Sequence, residues 1–195
     1  MRRYPTEAID YHAASFDEAR RCVDRALAGK LGSTDWLNNL AGVIRFLQGD
    51  QAAAFDHFQR AIDSNPDLSP ALLNMGVLHA LNGRHEDAIK SFETVLRKPT
   101  LDDSPQTYAA NYVEWGQSLA ALGKSREAVP LYVKAIRSDP LYVEAYERLA
   151  VAMGPGPWAD ELQGLADIAL QKHEQIYTEN LVGVIQYRGA AKIAS

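Results

Sequence analysis

Residues 83 to 96 read GRHEDAIKSFETVL, with Gly83 five residues before Ala88 and Ala88 four residues before Phe92. The pattern stands 34 positions earlier as Gly49, Ala54 and Phe58, and returns 40 positions later as Gly123, Ala128 and Tyr132. A second glycine keeps step, since Gly42, Gly76 and Gly116 each precede the later glycine by seven residues. Pro66, Pro99 and Pro140 close the units, Pro99 one residue early. The longer downstream interval marks an insertion of six residues around KPTLDDSPQT, where Pro99, Asp102, Asp103 and Pro105 point to a surface loop. Small residues at fixed places in helix-favouring segments imply close approach of neighbouring helices, because a larger side chain would hold the backbones apart.

On these residues the chain resembles the tetratricopeptide repeat family, whose unit of 34 residues is a helix, a tight turn and an antiparallel helix. The resemblance implies an all-α, right-handed superhelical solenoid of antiparallel helix pairs. Its clear units fall at residues 35–68, 69–102 and 109–142, about half of the chain within the span 35–142. Residues 1–34 read as a degenerate N-terminal helix pair, in which FDEARRCVDRALAGK keeps Ala19, Val23 and Ala26 at the second-helix spacing without the turn glycine. After the third unit, Tyr146, Leu149, Ala150 and Met153 repeat the spacing of Tyr112, Trp115, Gly116 and Leu119. The GPGP stretch at 154–157 then stops the helix, because proline lacks the amide proton and clashes with the preceding turn. Residues 143–179 therefore read as a partial fourth unit and a C-terminal capping helix. The capping stripe is Trp158, Leu162, Leu165, Ala169, Ile176 and Tyr177. Residues 180–195 are a tail to which the pattern assigns no structure.

Composition narrows the function. A chain of 195 residues with 47% hydrophobic content can bury a core without staples, and the lone Cys22 offers no partner for a disulfide or a zinc motif. A net charge of -5 removes the clustered positive surface on which nucleic-acid binding depends, so no nucleic-acid partner is expected. The start MRRYPTEAIDYHAAS is too interrupted by polar residues for an export signal, and no apolar run approaches the roughly 20 residues of a membrane helix. A cytoplasmic protein without membrane insertion is expected. His12, His57, His79, His85 and His173 show no metal-ligand spacing; His79 is expected to be partly buried and His85 solvated. Every glycine between 42 and 123 fills a repeat position, which leaves no phosphate loop. Ser33, Thr34 and Asp35 read as a helix start. The expectation is a protein that is not an enzyme and holds no cofactor or metal.

In the family the first helix of each unit lines a concave groove, and the resemblance implies five inward positions per unit. They are Trp36, Asn39, Val43, Phe46 and Leu47; then Pro70, Leu73, Val77, Ala80 and Leu81; then Ala110, Val113, Gln117, Ala120 and Ala121. None is charged, where the chain's 23% charged content would give about three. The chaperone-binding members of the family grip a C-terminal carboxylate with lysine, arginine and asparagine from successive first helices. Here Asn74 alone stands in such a place, while Asn38 and Arg45 occupy positions that are aromatic in most members. An apolar groove suits an apolar or amphipathic protein segment instead. The expected function is a non-catalytic scaffold or adaptor, chaperone-like in assembly or secretion. The alternative is a structural self-assembly protein whose groove is filled by its own terminus or by a second copy, as in a homodimer.

Overall fold

The computed structural model describes residues 6–97 and 104–172, and it divides into one compact unit over residues 1–103 and another over 104–195. The first contains α1 (Thr6–Ala28), α2 (Thr34–Leu47), α3 (Gln51–Ser64), α4 (Ser69–Leu81) and α5 (His85–Arg97). The second contains α6 (Pro105–Ala121), α7 (Ser125–Ser138), α8 (Val143–Met153) and a helix over residues 158–172, here α9. The described residues hold no strand, and the architecture is all-α, with α2 packed on α3, α4 on α5 and α6 on α7. Among the described residues no helix is long and apolar enough to cross a membrane.

The repeated glycines perform two separate jobs. Gly83 takes φ of 72°, a left-handed conformation that costs a residue with a Cβ, and lets Arg84 N–H reach back to the His79 carbonyl at 2.9 Å while its own N–H bonds Ala80. The same two bonds recur at Gly49–Asp50 and at Gly123–Lys124, so three short turns of one form reverse the chain and set the helices of each pair side by side. The other glycines make room. A Cβ at Gly42 or Gly116 would lie 2.5 Å from a ring carbon of Phe58 or Tyr132, and one at Gly76 would run into Phe92. Each first helix thus offers bare backbone to the aromatic side chain of its own second helix. Phe58, Phe92 and Tyr132 are buried, as are Ala54, Ala88 and Ala128 one turn earlier.

The connections between pairs are alike as well. Asn65 and Asp139 each accept the backbone N–H two residues on, from Asp67 and Leu141, and Ala71 and Ala145 are buried at the start of the next helix. Upstream, α1 packs on α2 through Ala19, Val23 and Leu27 against Ala41 and Ile44. Downstream, α8 ends at Gly154, whose φ is 73°, and Trp158 donates its indole N–H to the Gly154 carbonyl at 3.1 Å. In α9 the buried face is Leu162, Ala166 and Ala169 against Tyr146.

Three local expectations change. The insertion is not all loop, because α6 begins at Pro105, with Ser104 capping the N–H of Thr107 at 3.1 Å. Residues 98–103 lie outside the described residues. Within the capping stripe Trp158 and Leu165 are exposed while Ala166 takes the buried place, because helix periodicity puts 162, 166 and 169 on one side. Ile176, Tyr177 and the tail over 180–195 lie outside the described residues. Finally, His85 is half-buried and not solvated, with its Nδ1 inside the fold.

Candidate functional site

In the first unit α2 and α4 touch, and a hydrogen bond from Asn74 Nδ2 to Asn39 Oδ1 at 2.9 Å links them. Around this bond lie apolar side chains spaced four or seven residues apart, which places them on one stripe of each helix. Trp36 is 45% exposed, Leu40 47%, Leu47 55% and Leu81 60%. Val43, Leu73 and Val77 are half-buried between them, and Val43 and Phe46 lean on the core formed by Ala54, Phe58, Met75 and Leu78. Leu40 belongs to the surface although it is absent from the family-derived set. Its signal was its spacing, four residues after Trp36 and seven before Leu47.

Two of the expected contact residues offer a partner little or nothing. Val113 is 0% exposed and belongs to the core; Asn39 is 8% exposed and is engaged by Asn74. The spacing puts both at the same place as Leu73, but exposure there depends on the bulk of the neighbouring helix, which spacing does not encode. Asn38, another polar departure, is buried behind the stripe. Its amide donates to the Thr34 carbonyl at 2.8 Å, which turns its oxygen toward His57 Nδ1 at 3.1 Å and puts the proton on that nitrogen. Burial, with Arg60 and Arg45 nearby, lowers the pKa of His57, so the ring stays neutral in this pair.

The corresponding face of the second unit is polar. Gln117, on α6, donates to Glu144 Oε1 on α8 at 3.1 Å, and the same oxygen receives Arg148 Nε at 3.1 Å and Nη2 at 2.9 Å. Glu114 lies half-buried beside them. Its carboxyl is held above its usual pKa by burial first and by Glu144 second, against the pull of Arg148. Two cavities flank this network. One of about 200 Å³ is lined by Gln117, Ala120, Ser125, Tyr132, Arg148, Val151 and Ala152. The other, of about 580 Å³, is lined by Gln106, Asp139, Leu141, Tyr142, Val143, Glu144 and Leu170. Sequence reasoning missed these charges, although a signal was present: Ala110 and Glu114 carried 34 residues on fall on Glu144 and Arg148. Among the described residues no group of histidine, cysteine and carboxylate side chains converges as a metal site would require.

A model of the tetratricopeptide repeat matches residues 11–69 and 113–153, and a second model of that repeat matches residues 57–90. The photosystem I assembly protein Ycf3 of Rippkaea orientalis is 32% identical over 115 residues, which make up 53% of this chain and 66% of that relative. The match thus spans just under two thirds of the relative's length. The crystal structure of MamA is similar at a TM-score of 0.63 and 18% identity, over 91% of this chain and 99% of that one. The first repeat domain of Spaghetti (RPAP3), bound to the HSP90 peptide SRMEEVD, is similar at a TM-score of 0.55 and 20% identity, over 62% of this chain and 93% of that one. At these identities the two structures speak for the fold alone.

Proposed function

The chain belongs to the tetratricopeptide repeat family, and on that premise we propose that it is a non-catalytic adaptor binding an apolar or amphipathic protein segment on the α2–α4 face. The observation that carries this reading is the set of large apolar side chains, Trp36, Leu40 and Leu47 on α2 and Leu81 on α4, left exposed on two first helices that touch. Large apolar side chains grouped in this way lose free energy to water, at about 25 cal/mol per Å², and a partner's apolar face recovers it. Leu73 and Val77 complete the floor, and the Asn39–Asn74 bond leaves the Asn74 oxygen free to turn toward a partner's N–H. An acidic C-terminal peptide such as the one bound to the RPAP3 domain is a poor occupant here, because the exposed side chains of this stripe, Trp36, Leu40, Leu47 and Leu81, are apolar and give a carboxylate no compensating charge. With an assembly protein among its relatives, a chaperone-like role that shields a subunit's apolar segment before assembly is the specific form of this reading.

The test substitutes Leu81 by Glu. Because Leu81 is 60% exposed, the variant should keep its melting temperature, while a carboxylate in the contact should remove partners that the wild type retains in a pull-down read by mass spectrometry. A captured set identical for the two proteins would refute the reading. A lowered melting temperature would assign the face to the protein's own terminus, and conversion of a dimer to monomer would assign it to a second copy.

A further inference from the structure

Tyr132 carries an oxygen that the packing of its helix pair does not need. Its ring lies on the bare backbone of Gly116 as Phe58 lies on Gly42 and Phe92 on Gly76, and the two phenylalanines close their pairs without a hydroxyl. Tyr132 is 2% exposed, yet it lines the cavity of about 200 Å³ between α6, α7 and α8. Among the described residues no hydrogen bond engages its hydroxyl. Burial raises the pKa of the phenol, so the group is a neutral donor. A buried hydroxyl without a partner costs about 1 to 3 kcal/mol, which a group entering the cavity recovers. The rest of the lining is polar without net charge. Gln117 must donate its amide N–H to Glu144 Oε1, because a carboxylate can only accept, and its own oxygen is left as an acceptor. Arg148 spends Nε and Nη2 on the same Glu144 oxygen, which matches its charge and leaves Nη1 as a donor. Ser125 adds an exposed hydroxyl. Ala120 and Val151 give an apolar wall, and Val151 is 77% exposed, so methylene groups covering it are favoured over water.

We propose that this cavity binds a primary carboxamide, the group that ends a glutamine or asparagine side chain, with its oxygen accepting from Tyr132 and Arg148, its nitrogen donating to Gln117, and the methylenes behind it lying on Ala120 and Val151. Other end groups fit less well. A carboxylate has no proton for the Gln117 oxygen and brings a second negative charge beside Glu144, whereas an ammonium cannot accept from Tyr132 and meets Arg148. An alkyl end leaves the Tyr132 hydroxyl as it was. The site lies wholly within the second unit and does not depend on the α2–α4 face.

The test titrates the isotope-labelled full chain, near neutral pH, with the N-acetyl methylamides of glutamine, glutamate and methionine, which share a length and differ in the end group, and with free glutamine. Backbone amide signals of Gln117, Ser125, Arg148 and Val151 in NMR spectra report occupancy. Capped glutamine should saturate these shifts at concentrations on the order of millimolar, and the other two capped compounds should need about tenfold more. Capped glutamine binding at least as tightly as free glutamine assigns the site to a residue within a polypeptide; tighter binding of free glutamine assigns it to the amino acid itself. Tyr132→Phe should weaken capped glutamine by about fivefold to tenfold, leave capped methionine unchanged and hold the melting temperature, since phenylalanine fills this place in two other helix pairs. Ala152→Leu, on the half-exposed wall, should fill the cavity and abolish the shifts. Equal binding of the three capped compounds, signals that move with none of them, shifts that survive Ala152→Leu, or an affinity unchanged by Tyr132→Phe would overturn the proposal. So would a melting temperature lowered by Tyr132→Phe, which would assign the hydroxyl to the core.

Discussion

Replacing Gly76 with alanine adds one methyl group where the ring of Phe92 already lies. Gly76 is in the interior of α4, so on helix propensity alone the change should stabilise by about 1 kcal/mol. Packing opposes it. The new Cβ would stand 2.8 Å from both Cδ1 and Cζ of Phe92 and closer still to Cε1, and Phe92 is fully buried and unable to swing aside. Overpacking of this kind costs about 1 to 3 kcal/mol, and contact with three atoms of one rigid ring argues for the upper end. The net expectation is a loss of about 2 kcal/mol, or a melting temperature lower by roughly 4 to 8 °C in a chain of this size. Urea unfolding followed by far-UV circular dichroism measures it, and a double-mutant cycle identifies the cause. In a Phe92→Leu background the ring atoms are gone, so Gly76→Ala should be neutral or stabilising, giving a coupling of about 2 kcal/mol. Gly83→Ala is the control, since nothing lies within 4 Å of that site and its cost comes from φ of 72°; about 1 kcal/mol should be lost in either background. A Gly76→Ala variant with a raised midpoint, or one equally destabilised with and without the ring, would refute the glycine–aromatic pairing as the organising contact.

Val113→Glu should unfold the second unit, because a carboxylate at a fully buried site costs several kcal/mol, whereas Leu81→Glu should change stability by no more than about 0.5 kcal/mol; thermal melts of the two compare them directly. Ala88→Leu, at a position with no exposed surface, should lower the urea midpoint by the equivalent of about 1 to 3 kcal/mol. Glu114 should make stability fall as pH rises: its folded pKa is held above 4.5, so the native state binds that proton more tightly than the unfolded chain does, and the contribution is lost as pH climbs from 4.5 through the folded value. Glu114→Gln should therefore melt higher than the wild type near about pH 7 and lose that advantage below 4.5, a comparison made by differential scanning fluorimetry across pH.

The helix pairs were legible because two glycines and an aromatic residue per unit are a sterically closed set. One glycine makes the turn, the other clears a space, and the ring 16 residues later fills it, so all three must recur together, as at Gly42 and Phe58 and again at Gly76 and Phe92. The surface obeys no such closure. Trp36, Leu47 and Leu81 are exposed and Val113 is not, although one family register predicts all four, because exposure depends on what the adjacent helix sets opposite each side chain. Charge was legible only as far as the repeat was followed. The inward positions were read only for the first three units; the spacing of Tyr146, Leu149, Ala150 and Met153 already marked α8 as a further first helix, and the same register carried into it falls on Glu144 and Arg148. Along the sixth position of successive first helices stand Leu40, Asn74, Glu114 and Arg148, which runs from apolar through neutral polar to charged. That gradient is free to vary because none of the four is needed to close a helix pair; the glycines and rings do that. Repeat packing therefore fixes which positions share the first-helix face and leaves their chemistry to be set unit by unit, which is how one scaffold comes to carry an apolar stripe in its first unit and a carboxylate-lined pocket in its second.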